Sequence, residues 1–176
     1  FLPSMPESVD DLYAFKQGVT FLLTIPGIPQ LYYGQELLMN GTKEITDGNV
    51  RKDFPGGFAG DTHNCFTAQG RTKAENAMFQ WESKLLHWRQ GNDLISKGKQ
   101  TQFIPFKGIY VIARQYQGRT SLTILNGKRS EATMPVARYA EVIGKATTAT
   151  DVITGRKIDL THDITLQPRE ALVVEF

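Results

Sequence analysis

The sequence predicts an α+β chain in two parts: a helix–strand–helix segment over residues 1–98 and an all-β antiparallel sandwich over residues 99–176. Three observations predict it. Two stretches in the first part carry apolar residues at helical spacing, and the short apolar run "IPQLYY" follows the first of them. A long polar stretch with no period of 2 or 3.6 separates that run from the second helix. After Gly98 the texture changes to short β-rich runs divided by turn signals, at roughly the spacing of sandwiches.

The first helix is expected over residues 8–25, where Leu12, Phe15, Val19 and Leu22 make one apolar stripe. Ser8 with Asp11 three residues later suits a capping box. Asp10 and Asp11 suit the positive end of the helix dipole, and Pro26-Gly27 stops the helix. A strand is expected over 28–33, with Pro29 at its start and Tyr32 and Tyr33 on opposite faces. Residues 37–73 read as a long loop, a length usually functional or disordered, and Phe54, Phe58 and Phe66 argue against disorder. Residues 74–90 make the second helix, with Met78, Trp81, Leu85 and Trp88 as a packing stripe and Gly91 as its stop. In the sandwich the runs are "GIYVIARQY", "TSLTILNG", "RYAEVIG", "ATDVITG", "RKIDL" and "REALVVEF", with turns at Gly118, Asn126-Gly127 and Thr154-Gly155.

Composition excludes several function classes. A hydrophobic content of 40%, a charged content of 22% and a net charge of +2 with mixed signs imply a globular protein without a nucleic-acid stripe or membrane patch. The longest apolar run, "FLLTIPGIP", is too short to span a bilayer and is broken by prolines. Cys65 is the only cysteine, which rules out an internal disulfide and a Cys-rich metal site. One cysteine fits a cytoplasmic protein and also a bacterial exported one, with periplasm or exterior slightly favoured. Cys65 lies in a polar loop, is expected at the surface, and has no neighbouring base in sequence. His87 and His162 have no partners at metal spacing, and Gly56-Gly57 reads as a turn. No cofactor or metal is expected. No signal peptide is read in the sequence, and the start at Phe1 in place of Met suggests a piece of something longer.

"GIPQLYYGQELLM" followed by "DGNVRKDFPGG" resembles the α-amylase superfamily, glycoside hydrolases of family 13, and within it the neopullulanase and cyclomaltodextrinase branch. "DVITGRKIDL" and "ITLQPREALVVEF" are similar to the last hairpin and strand of that family's sandwich. The resemblance implies that residues 1–98 are the last αβα elements of a (β/α)8 barrel, with residues 99–176 as the C-terminal sandwich. It implies that the family's catalytic carboxylates lie upstream, the last in an Asn-His-Asp tripeptide before Phe1. None is expected here, and the chain alone is expected to be inactive.

Active sites of such barrels lie at the C-terminal ends of the strands. Glu36 would then stand at the rim, with Gly34 letting the backbone turn. Arg51 and Asp53 suit sugar hydroxyls, as donors and acceptors, and Asp47 shares that reading. Phe54 suits stacking on a glucose ring. An α-glucan or maltooligosaccharide is the expected partner of the parent enzyme. Self-association through exposed barrel surfaces is expected of the chain alone. The alternative is a stand-alone carbohydrate-binding or structural sandwich module.

Overall fold

The computed structural model describes residues 9–41, 44 and 46–176. The caps expected from Ser8, Asp10 and Asp11 lie outside what is described. Helix α1 spans Val9–Thr24, where 8–25 is expected, and buries Phe15, Val19 and Leu23. Helix α2 spans Lys73–Arg89, against an expected 74–90. Its start is a capping box that the sequence reading omits. The Glu75 amide donates to Thr72 Oγ1 at 3.3 Å, and the Thr72 amide donates to the Glu75 carboxylate at 2.6 Å. Gly91, with φ 67°, follows its end. A short helix α3 (Asp93–Ser96) comes next, its first turn capped by the Asn92 side chain.

The strand expected over 28–33 does not form among the described residues. A strand exists through its ladder, and no described segment pairs with this one. Ile28 is 98% exposed. Tyr32 and Tyr33 do not alternate faces; their rings lie 4.6 Å apart, side by side before a turn. Of the expected helix–strand–helix segment, the two helices form and the strand does not.

Eight strands follow α3: β1 (Lys99–Gln102), β2 (Ile109–Tyr116), β3 (Arg119–Asn126), β4 (Ala132–Met134), β5 (Thr148–Asp151), β6 (Lys157–Asp159), β7 (Ile164–Leu166) and β8 (Ala171–Glu175). One antiparallel sheet has the order β1-β2-β3-β8-β5-β6, and a second pairs β4 with β7. The β2–β3 hairpin closes at Tyr116↔Arg119 through Gln117 and Gly118, both at positive φ, as a two-residue turn matched to strand twist requires. "RYAEVIG" is not a strand. Val136–Tyr139 forms a 3-10 turn, followed by helix α4 (Ala140–Ile143). Tyr139, Val142 and Ile143 are buried at i, i+3 and i+4, a helical spacing.

The chain divides into two compact units: one holds residues 30–83, and the other joins α1 and its turn, through Pro29, to residues 84–176. In the second unit, alternate residues of the large sheet serve two cores. Val111, Ala113, Leu122, Ile124 and Val174 face the β4–β7 pair and α4. The opposite face carries Ile112, Arg114, Ser121, Thr123 and Val173, all buried, because α1 and α3 pack there. Arg114 donates to the Ile95 carbonyl of α3. Arg89 donates to the carbonyls of Leu23 and, at 2.8 Å, Gly27, so a cation caps the negative end of α1.

Candidate functional site

The unit of residues 30–83 carries all five candidate sugar-contacting residues. Its first turn is set by Gly34, at φ 86°, where a Cβ would overlap the Met39 side chain. The Gly34 carbonyl accepts from the amides of Leu37 (3.0 Å) and Met39 (2.9 Å), which winds Gln35–Leu37 into a 3-10 turn. Glu36 sits on that turn, half-buried. Its neighbour Gln35 is buried and donates from Nε2 to Glu82 Oε1 at 2.7 Å.

Glu82 is a functional-type group that sequence reasoning missed. It is 2% exposed, and its second oxygen has no hydrogen-bond partner. Burial pushes its carboxyl up from the usual range; the Gln35 hydrogen bond opposes this, and the Glu36 charge adds to it. A signal was present: Met78, Glu82 and Leu85 share one helix face, so this glutamate falls on the packing stripe. A folded-state carboxyl raised above its unfolded value gives full stability below the usual glutamate range, and that stability declines as pH rises through the raised value. Glu82→Gln keeps an acceptor for Gln35 and removes the titration. It should flatten the decline, read as urea midpoints of both proteins compared at about pH 4 and about pH 8.

The remaining candidates gather around Tyr33. Its hydroxyl donates to the Lys52 carbonyl at 2.8 Å. Hydrogen bonding with Tyr32 is the largest influence raising its pKa; the Asp53 charge also raises it and the Arg51 charge lowers it, so both side chains lie within its electrostatic reach. Asp47 and Arg51 approach to 4.0 Å with side chains about two-thirds exposed, a pair that contributes little to stability and leaves both groups open to ligand. Phe54 is half-buried, with its ring centroid 4.7 Å from that of Phe66, so it packs within the loop while Phe66 remains exposed. Asp47 and Arg51 thus form one exposed pair, and the Tyr33 hydroxyl holds the backbone between Arg51 and Asp53 through the Lys52 carbonyl. Glu36 is tied instead to the Gln35–Glu82 pair.

Cys65 is not at the surface. It is 1% exposed, because the surrounding loop folds over it: its amide donates to the Pro55 carbonyl at 2.8 Å, and Arg71 Nε donates to its carbonyl at 2.9 Å. Burial pushes its thiol up, with the Glu75 charge adding. It also has a base beside it, His63, brought close by the turn between them. His63, Cys65 and Glu75 offer donor atoms that could hold a metal ion.

A family described as the cyclo-malto-dextrinase C-terminal domain matches residues 100–175. The cyclomaltodextrinase of Thermoanaerobacter pseudethanolicus is 22% identical over 161 residues, which is 91% of this chain and 24% of that protein. Among solved structures, AmyP in complex with maltotriose superposes with a TM-score of 0.72 at 18% identity, covering 97% of this chain and 36% of that one. The α-amylase of Geobacillus thermoleovorans, complexed with acarbose, gives 0.66 at 23% identity over 93% and 33%. The chain thus spans about a quarter of the curated relative and about a third of these structures. Its largely antiparallel sheet with few helices matches the C-terminal sandwich of such enzymes. Among the described residues, no helix is long and apolar enough to cross a membrane. The chain is therefore similar to the C-terminal part of a family 13 glycoside hydrolase of the α-amylase superfamily, and its residues 100–175 match the cyclomaltodextrinase C-terminal domain.

Proposed function

We propose that this chain is the C-terminal part of an enzyme that hydrolyses α-glucosidic bonds with retention, and that the chain alone is inactive. The observation that carries the reading is the likeness to a cyclomaltodextrinase along 91% of the chain, well beyond the sandwich. Residues 1–98 are then the end of the catalytic barrel and residues 99–176 the sandwich. The catalytic carboxylates belong to the parent enzyme's upstream sequence. Retaining glycosidases need two carboxyl groups about 5 Å apart across the bond. The Glu36–Glu82 neighbourhood does not supply them, because Glu82 is sealed from solvent.

In this reading the 30–83 unit contributes sugar contacts. Arg51 supplies directed donors, Asp47, Asp53 and Glu36 supply acceptors, and Phe54 with its partner Phe66 supplies an aromatic face. Maltose, maltotriose and acarbose accompany solved relatives, which supports a maltooligosaccharide as ligand here. The exposed Ile28, Tyr32 and Tyr33 would meet other barrel elements in the parent, and in the isolated chain they favour self-association. A bacterial periplasmic or extracellular location, slightly favoured over the cytoplasm, completes this reading.

Titrating the chain with maltotriose while following its amide resonances tests the reading. Shifts confined to residues around Tyr33, Arg51 and Asp53, with no glucose released on long incubation, are the expected result. Shifts confined to residues 99–176 would favour a sugar-binding sandwich module instead, and glucose release that copurifies with the chain would refute its inactivity.

A further inference from the structure

Three donor atoms of three kinds converge where the loop meets the first turn of α2. His63 Nε2 lies 3.2 Å from Cys65 Sγ and 3.3 Å from Glu75 Oε2. All three lie within 4.8 Å of one another. None of these residues is among the sugar-contact candidates, so a role for them is independent of the glycosidase reading.

Two of the donors sit on fixed backbone. Cys65 is held at both its amide and its carbonyl, and Glu75 is held by its capping box with Thr72. The backbone is also close-packed beside them: a Cβ at Gly70 would overlap the Asn64 carbonyl. The third donor, His63, is half-exposed (44%), which leaves a way in from solvent.

In the metal-free chain the His63 ring and the Cys65 thiol can both donate to the Glu75 carboxylate, so all three groups already face one point. A cation between the three atoms satisfies all of them at once. Zinc bond lengths of about 2.0–2.3 Å in tetrahedral array put neighbouring ligand atoms roughly 3.3–3.6 Å apart, close to the two short separations seen here.

We infer that His63, Cys65 and Glu75 form a binding site for a zinc-type divalent cation, which ties the loop to the start of α2. A thiolate and an imidazole select such an ion over calcium or magnesium, which prefer oxygen ligands. Three protein ligands leave the fourth position to water. Binding displaces the Cys65 proton to solvent.

The test uses the full chain, stripped with a chelator and titrated with zinc chloride, with retained metal measured after gel filtration. One saturable zinc per chain is expected, not displaced by excess magnesium or calcium. Cobalt in its place should give a thiolate charge-transfer band in the near ultraviolet, absent in Cys65→Ser. His63→Ala, at a half-exposed position, should leave the circular dichroism unchanged and weaken zinc binding at least about tenfold. No saturable zinc in the wild type, or equal retention by His63→Ala, overturns the site.

Discussion

Replacing Asn126 with alanine is expected to lower the unfolding free energy by about 3 kcal/mol, the largest polar effect in the sandwich. The residue is fully buried at the end of β3. Its Nδ2 donates to the carbonyls of Ser130 and Gln167, both at 2.8 Å, and its Oδ1 accepts from the Lys128 amide at 2.9 Å. One side chain thus joins the β3–β4 connection to the stretch between β7 and β8. Its own carbonyl accepts from Gln17 Nε2 of α1 at 2.6 Å, so the same residue anchors the helix. Alanine leaves two carbonyls and an amide without their partner around a side chain that is itself fully buried. Asn126→Asp separates the donor from the acceptor. It retains the acceptor for Lys128 but points a carboxylate at two carbonyl oxygens. It should be at least as damaging at neutral pH and recover partly in acid. Urea unfolding curves of the three proteins decide the matter; an alanine variant within a few tenths of a kcal/mol of wild type would show that water replaces the amide.

Leu122→Ala is expected to cost about 3 kcal/mol, through lost transfer energy and the cavity left behind. Leu122 has no exposed surface and lies in the sheet between Ala113 of β2 and Val174 of β8. The small Ala113 beside it means that Leu122 fills that space, and two hydrogen-bonded neighbouring strands limit how far the backbone can close over a void. Leu122→Met, which keeps most of the volume, should cost less than about 1.5 kcal/mol. Equal losses for the two variants would point to strain in place of a cavity. The comparison is made from denaturation midpoints at constant slope.

Much of the fold is legible from local pattern. The stripes of α1 and α2, and the alternating runs of β2 and β3 around Gly118, each encode their element within a few residues. The failures have separate physical causes. "IPQLYY" has strand composition, but strand identity belongs to the ladder, and no described residues supply one. "RYAEVIG" suggests strand through its valine and isoleucine, although Tyr139, Val142 and Ile143 already stand at helical spacing. Strands β4 and β7 are only three residues each and owe their place to the core they cover and to the Asn126 amide. At the candidate site, residue types suggest sugar contact at Arg51 and Asp53, but the tie of that backbone to Tyr33, through the Lys52 carbonyl, joins residues 19 apart in sequence. Glu82 and Cys65 escape because burial comes from contacts distant in sequence. A glutamate on a packing stripe and a cysteine in a polar loop show their burial only once the chain folds over them.

The position of β8, between β3 and β5, has a consequence for biosynthesis. The strand translated after all the others is the one at the middle of the large sheet. Until it leaves the ribosome, the β1–β2–β3 ribbon and the β5–β6 hairpin each present an open edge and cannot meet. Helix α1, made before these strands, packs on both β3 and β8, so its seat is complete only when β8 is in place. A nascent chain stalled before Ala171 is therefore a natural client for chaperones that shield unpaired strands.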